Sequence, residues 1–118
     1  MAARATIVAA LTTAGVRAVV SGKLSAPCVL VEPGDPWVER RSGGRPGWVS
    51  RWRLTAIAGR ADSNGALAEL AELVDATDTA LLAVAGVQLP PWTRPADYAL
   101  EGVPHAATTG IVQYPQLG

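Results

Sequence analysis

The residue types able to do chemistry are few in this sequence and stand far apart. There is one histidine, His105, and one cysteine, Cys28. Zinc needs three or four Cys, His or carboxylate ligands in one place, and this pair cannot begin such a set. No serine is placed near His105 and no G-x-S-x-G elbow occurs, so a Ser/His/Asp arrangement has no footing. Gly43-Gly44-Arg45-Pro46-Gly47 has the glycines of a phosphate cradle. It lacks the lysine-serine pair, however, and leads into a strand pattern where a phosphate loop opens a helix. The remaining titratable groups form no recognisable acid–base pair. The sequence therefore predicts a non-catalytic protein with no metal and no cofactor, His105 an ordinary loop residue, and Cys28 a small buried strand residue.

Two groupings rise above that background. Arg40, Arg41, Arg45, Arg51 and Arg53 are interleaved with Trp48 and Trp52, and arginine and tryptophan are the side chains most enriched at interface hot spots. Trp52 belongs in the core, whereas Trp48 fits core or interface equally. The second grouping is Glu69, Glu72 and Asp75, on the outer side of a helix pattern with no lysine or arginine to offset them. A basic tip and an acidic helix on one molecule are complementary, and head-to-tail pairing of unlike patches closes a ring where the rotation allows. Arg40, Arg41, Arg45, Trp48, Arg51, Arg53, Glu69, Glu72 and Asp75 are the candidate assembly residues.

The elements that must hold these groups lie between Trp48 and Gly86. Residues 48–58 alternate between a face with Trp48, Trp52, Leu54 and Ala56 and a half-wet face with Val49, Arg51, Arg53, Thr55 and Ile57, which predicts a strand central in its sheet. Residues 59–65 supply a turn in which Asp62 or Ser63 caps the next helix. Leu67, Leu70, Leu73, Val74, Thr77 and Leu81 then recur at helical spacing, and Gly86 offers a stop.

Upstream, residues 2–14 read as a helix ended by Gly15, 16–20 as a short strand, and Cys28–Val31 as a strand buried on both faces. Pro33 and Pro36 kink it before Trp37-Val38-Glu39 resumes. Residues 40–47 hold three arginines, three glycines and a proline; they form the tip of a long hairpin at about 37–50. Downstream, 87–89 starts a strand or turn, 90–95 is a rigid extended link, 98–100 and 106–114 are strands, and 115–118 is a tail. The expected fold is α+β: a single mixed, mostly antiparallel sheet with two helices on one face.

At 118 residues the chain is one domain, 1–118. Hydrophobic residues make up 49% and charged ones 17%, with a net charge of zero. That balance removes the electrostatic case for nucleic acid or an anionic membrane as main partner, and it favours self-association. The first fifteen residues, with an arginine and a short apolar run, raise a signal peptide; Thr6, Thr12 and Thr13 interrupt the run, and an amphipathic helix is expected instead. No segment approaches the length of a membrane span.

One resemblance covers nearly the whole chain. The N-terminal helix, the Pro-Cys-Val-Leu-Val-Glu-Pro-Gly-Asp-Pro run at 27–36, Arg-Trp-Arg-Leu at 51–54 and Ala-Gly-Arg-Ala-Asp-Ser-Asn-Gly-Ala-Leu-Ala-Glu-Leu at 58–70 carry it. Val-Pro-His at 103–105, before a threonine-rich strand ending Tyr-Pro, completes it. Together these resemble the tail terminator (tail completion) proteins of long-tailed phages. The resemblance implies a structural virion protein that forms a homo-hexameric ring capping the tail tube and ending its polymerisation. It implies tail tube protein and head-completion or connector proteins as partners, DNA passing only through the lumen, and a place in the tail and neck of a virion assembled in the bacterial cytoplasm. It implies no catalysis and no cofactor. Other readings are a different neck component, such as a connector or stopper, and a small non-catalytic α+β ligand-binding domain.

Overall fold

The computed structural model describes residues 2–22, 24–40 and 47–116. Its elements are α1 (Ala2–Thr13), β1 (Ala18–Val19), β2 (Cys28–Arg40), β3 (Trp48–Arg60), α2 (Ala66–Leu81), β4 (Ala96–Leu100) and β5 (Val103–Gln116). The strands form one sheet in the order β1-β2-β3-β5-β4, parallel between β1 and β2 and antiparallel elsewhere. The fold is α+β, with β3 at its centre as its alternation requires.

Both helices cover the same face. Ala3, Ile7 and Leu11 of α1 fall four residues apart and are fully buried. They join Ala66, Leu70, Ala80 and Leu81 of α2 and Trp52, Leu54, Ala56 and Ala58 of β3 in the main core. The opposite face carries a second, smaller core of Cys28, Ile57 and Ala107, roofed by Val19, Leu24, Ala26, Tyr98 and Leu100. That roof is why Ile57, expected to be half-wet, is buried; Thr55 on the same face is buried too. Burial also raises the Cys28 thiol's pKa, which keeps it in its unreactive neutral form.

Several expected boundaries move. The strand expected over 16–20 is reduced to Ala18–Val19. β3 continues to Arg60, so Gly59 and Arg60 belong to the strand rather than the turn. Neither Asp62 nor Ser63 caps α2. Gly65 occupies the cap position without a side-chain bond, Ser63 Oγ accepts from the Gly65 N–H at 3.4 Å, and Asp62 pairs with Arg60 at 3.4 Å. Leu67 is 66% exposed because Ala66 takes the inward place in the first turn. α2 ends at Leu81, before Gly86, which adopts a left-handed φ of 79° beyond a further irregular turn.

β4 and β5 are each longer than their patterns suggested, at Ala96–Leu100 and Val103–Gln116. A two-residue turn with Glu101 and Gly102 at positive φ joins them. His105 consequently sits within a strand rather than a loop, its Nδ1 3.1 Å from the Ala58 carbonyl oxygen. Pro115 and Gln116 are not tail but strand, paired with Val49 and Trp48.

Residues 87–95 run as a strap beside β5. Gln88 N–H donates to the Gln113 carbonyl at 3.1 Å and Thr93 N–H to the Thr109 carbonyl at 2.9 Å. Trp92 Nε1 donates to Asp78 Oδ1 at 3.1 Å, tying the strap to α2. Gly110 permits the approach: a Cβ there would stand 2.8 Å from Pro90 Cγ.

Candidate functional site

β2, β3 and β5 outrun the helices, and their far ends form a three-stranded arm on a molecule measuring 50 × 25 × 25 Å. The pairing persists to Arg40 against Trp48 and Trp48 against Gln116, past a register shift between Pro33 and Val38. This shift is the kink the two prolines predict, because each removes a ladder donor.

The arm is fastened to the body at Trp52, which is 1% exposed. Its ring meets Trp37 edge to face, with centroids 5.9 Å apart and planes at 83°, and the Arg4 guanidinium of α1 lies 5.5 Å from its centroid. Its Nε1 donates to buried Ser50 Oγ at 3.1 Å, and that hydroxyl donates on to the Tyr114 carbonyl at 3.3 Å. Trp52 is thus core, as its type and place in the alternation indicated.

The arginine cluster divides. Arg51 pairs with Glu39 across the β2–β3 ladder at 3.2 Å, and Arg53 with Glu32 at 3.1 Å. These two pairs neutralise the open sheet face instead of presenting positive charge. Arg40 lies over the Trp48 ring, 4.9 Å from its centroid. Trp48 is 40% exposed and Trp37 44%, so the outer arm presents aromatic surface along with one cation among the described residues. Arg41 and Arg45 lie outside the described residues.

Glu69, Glu72 and Asp75 are exposed on α2, away from its buried side. The Glu69 carboxylate lies against Gly59, at the body end of β3, where a Cβ would stand 2.8 Å from its Oε2. From there to Trp48 is eleven strand positions, or roughly 35 Å at about 3.3 Å per residue. The aromatic-basic patch and the acidic patch therefore sit at opposite ends and do not meet within one copy. The ion pairs of Arg51 and Arg53 were missed in the sequence, since their partners are 12 and 21 residues distant and only the strand register unites them.

One apolar groove of about 540 Å³ lies between the helices, with Ala10, Ala80 and Val84 in its walls and Tyr114 in its lining. Its side-chain polar groups are the hydroxyls of Thr6, Thr13, Thr79 and Tyr114, and among the described residues no charged side chain lines it. Among the described residues no group of three or more His, Cys, Asp or Glu side chains could hold a metal ion, and no helix is long and apolar enough to cross a membrane. Compared with known protein families and with curated proteins, the chain matches none.

Proposed function

We propose that this chain is a non-catalytic virion protein: a tail-terminator subunit whose copies close into a ring on the phage tail tube, end its growth and join the tail to the head connector. The observation that carries the reading is the arm, a sheet extension with aromatic and cationic surface at its end, set opposite an exposed acidic helix. Heterologous contact between two ends of a molecule generates rings when the rotation closes. Rim charges of opposite sign chiefly steer and register such contacts, and buried aromatics supply most of the affinity. The family resemblance of residues 27–36, 51–54, 58–70 and 103–105 points the same way, with hexameric stoichiometry, the tail tube protein and head-completion proteins as its implied partners and a place in the tail and neck.

The test is mass by light scattering on the purified protein, alone and mixed with tail tube protein, followed by electron microscopy of the mixture. Rings or tubes of fixed, capped length are expected. A monomer or dimer that never engages the tube would overturn the reading. The groove between α1 and α2 would then favour a small ligand-binding domain, checked by displacement of an apolar fluorescent dye from it.

A further inference from the structure

The two edges of the sheet are built differently. On the β2 side, β1 covers only Val29 and Leu30, and beyond it Pro33 and Pro36 lack N–H groups while the strand shifts register. An edge so interrupted resists pairing with another strand. β4, at the other edge, has no interruption between Ala96 and Leu100, and among the described residues no strand or loop bonds to its outer side.

Its register fixes which groups are offered. The Pro104 carbonyl accepts from Ala61 N–H at 2.9 Å, so Pro104 faces β3 and leaves its partner Ala99 unbonded on that side. Alternation along the strand then turns the N–H and C=O of both Ala99 and Asp97 outward. Asp97 and Ala99 are exposed.

We propose that this edge pairs with the same edge of a second copy, antiparallel about a two-fold axis at Tyr98. In that register Asp97 of each copy opposes Ala99 of the other, and both outward-facing residues exchange complete pairs of backbone hydrogen bonds. A centre at Asp97 would set that carboxylate against itself and bring Pro95, without an N–H, opposite Ala99. A centre at Ala99 would set Asp97 against Glu101. The Tyr98 register avoids both. Tyr98 meets its own counterpart in the close, non-hydrogen-bonded position, where cross-strand aromatic pairs contribute. The junction lies at the body end, away from the arm, so it requires nothing of the ring reading and leaves the arm free.

Sedimentation velocity on the full chain over a range of concentrations tests the pairing. The wild-type protein is expected to reach a species twice the monomer's 12.2 kDa. Ala99→Pro removes an N–H that points to solvent in the monomer, and should raise the dimer dissociation constant about tenfold or more, as each copy loses a bond. Ala99→Asp, opposite Asp97 of the other copy, should weaken the dimer too, whereas Ala99→Lys at the same exposed position should hold or strengthen it. Circular dichroism checks that each variant is folded, and the opposite signs of the Asp and Lys substitutions would not arise from a general loss of fold. A wild-type protein that stays monomeric up to about 1 mM overturns the pairing. If its Asp97 and Ala99 amide resonances shift on adding tail tube protein, the edge takes a partner's strand instead. A larger ring whose mass none of the three substitutions changes also overturns it, while leaving the arm-to-helix ring intact.

Discussion

Beneath the helices β3 is buried on both faces, from Leu54 to Ala58, whereas in the arm the same strand exposes Trp48 and half-buries Val49 and Arg51. One strand thus passes from a setting where removal of apolar area from water holds it on both faces to one where ladder bonds and cross-strand pairs carry a larger share. The first is worth about 25 cal/mol per Å² buried; the second amounts to about 0.2–1 kcal/mol per pair. Stability should therefore reside in the body and recognition in the arm, with Trp52 as the joint between them.

The sharpest way to break that contrast is at the joint. Trp52→Ala would empty a site closed by Trp37 and Arg4 and leave the buried Ser50 hydroxyl without its donor. The expected loss is about 3–5 kcal/mol, the range for large aromatic truncations in cores. Urea unfolding followed by far-ultraviolet circular dichroism measures it. A loss under about 1 kcal/mol would mean that arm and body are not coupled through this ring.

Trp48→Ala tests the arm proper. With 40% of the residue exposed and an arginine across one face of its ring, truncation should cost only about 0.5–1 kcal/mol in the same unfolding assay. Capping of tail tubes, scored by electron microscopy, should nevertheless fail. Large destabilisation with capping retained would reverse the assignment of roles. Arg40→Ala sharpens the point, since it removes the cation and leaves the ring.

How much of this could be read from the chain follows from where the information lies. The period of two along β3 and the four-residue spacing of Ile7 and Leu11 are local signals, and both gave elements in the right place. Leu67 misled because Ala66 and Leu67 compete for one inward position, and only the angle at which α2 leaves the sheet decides between them. Prolines misled in β5 for a related reason. Odd residues of that strand turn their polar groups toward the strap, as the Thr109 and Gln113 carbonyls do. The N–H that Pro115 lacks would therefore not have faced β3, and the ladder loses nothing. The second core needed Leu24, Ala26, Tyr98 and Leu100 to converge on Cys28 and Ile57, a meeting of distant segments that no periodicity encodes. Within the candidate site, the arginines were visible as a cluster, but which of them pair with carboxylates and which lies over a tryptophan was set by register.

That division gives the smallest and most discriminating prediction. Arg53 and Glu32 are joined at 3.1 Å, with side chains 49% and 36% exposed, so water and salt screen them well. Arg53→Gln and Glu32→Gln should each change stability by no more than about 0.5 kcal/mol, and the double-mutant cycle should return a coupling within about 0.2–1 kcal/mol that shrinks as salt rises. Neither change should prevent tube capping, because the pair neutralises its own face and offers little charge to a neighbour. If Arg53→Gln abolished capping with stability unchanged, the open sheet face, and not the arm's aromatic end, would be the contact surface, and the boundary between body and arm would have to be redrawn toward the sheet centre.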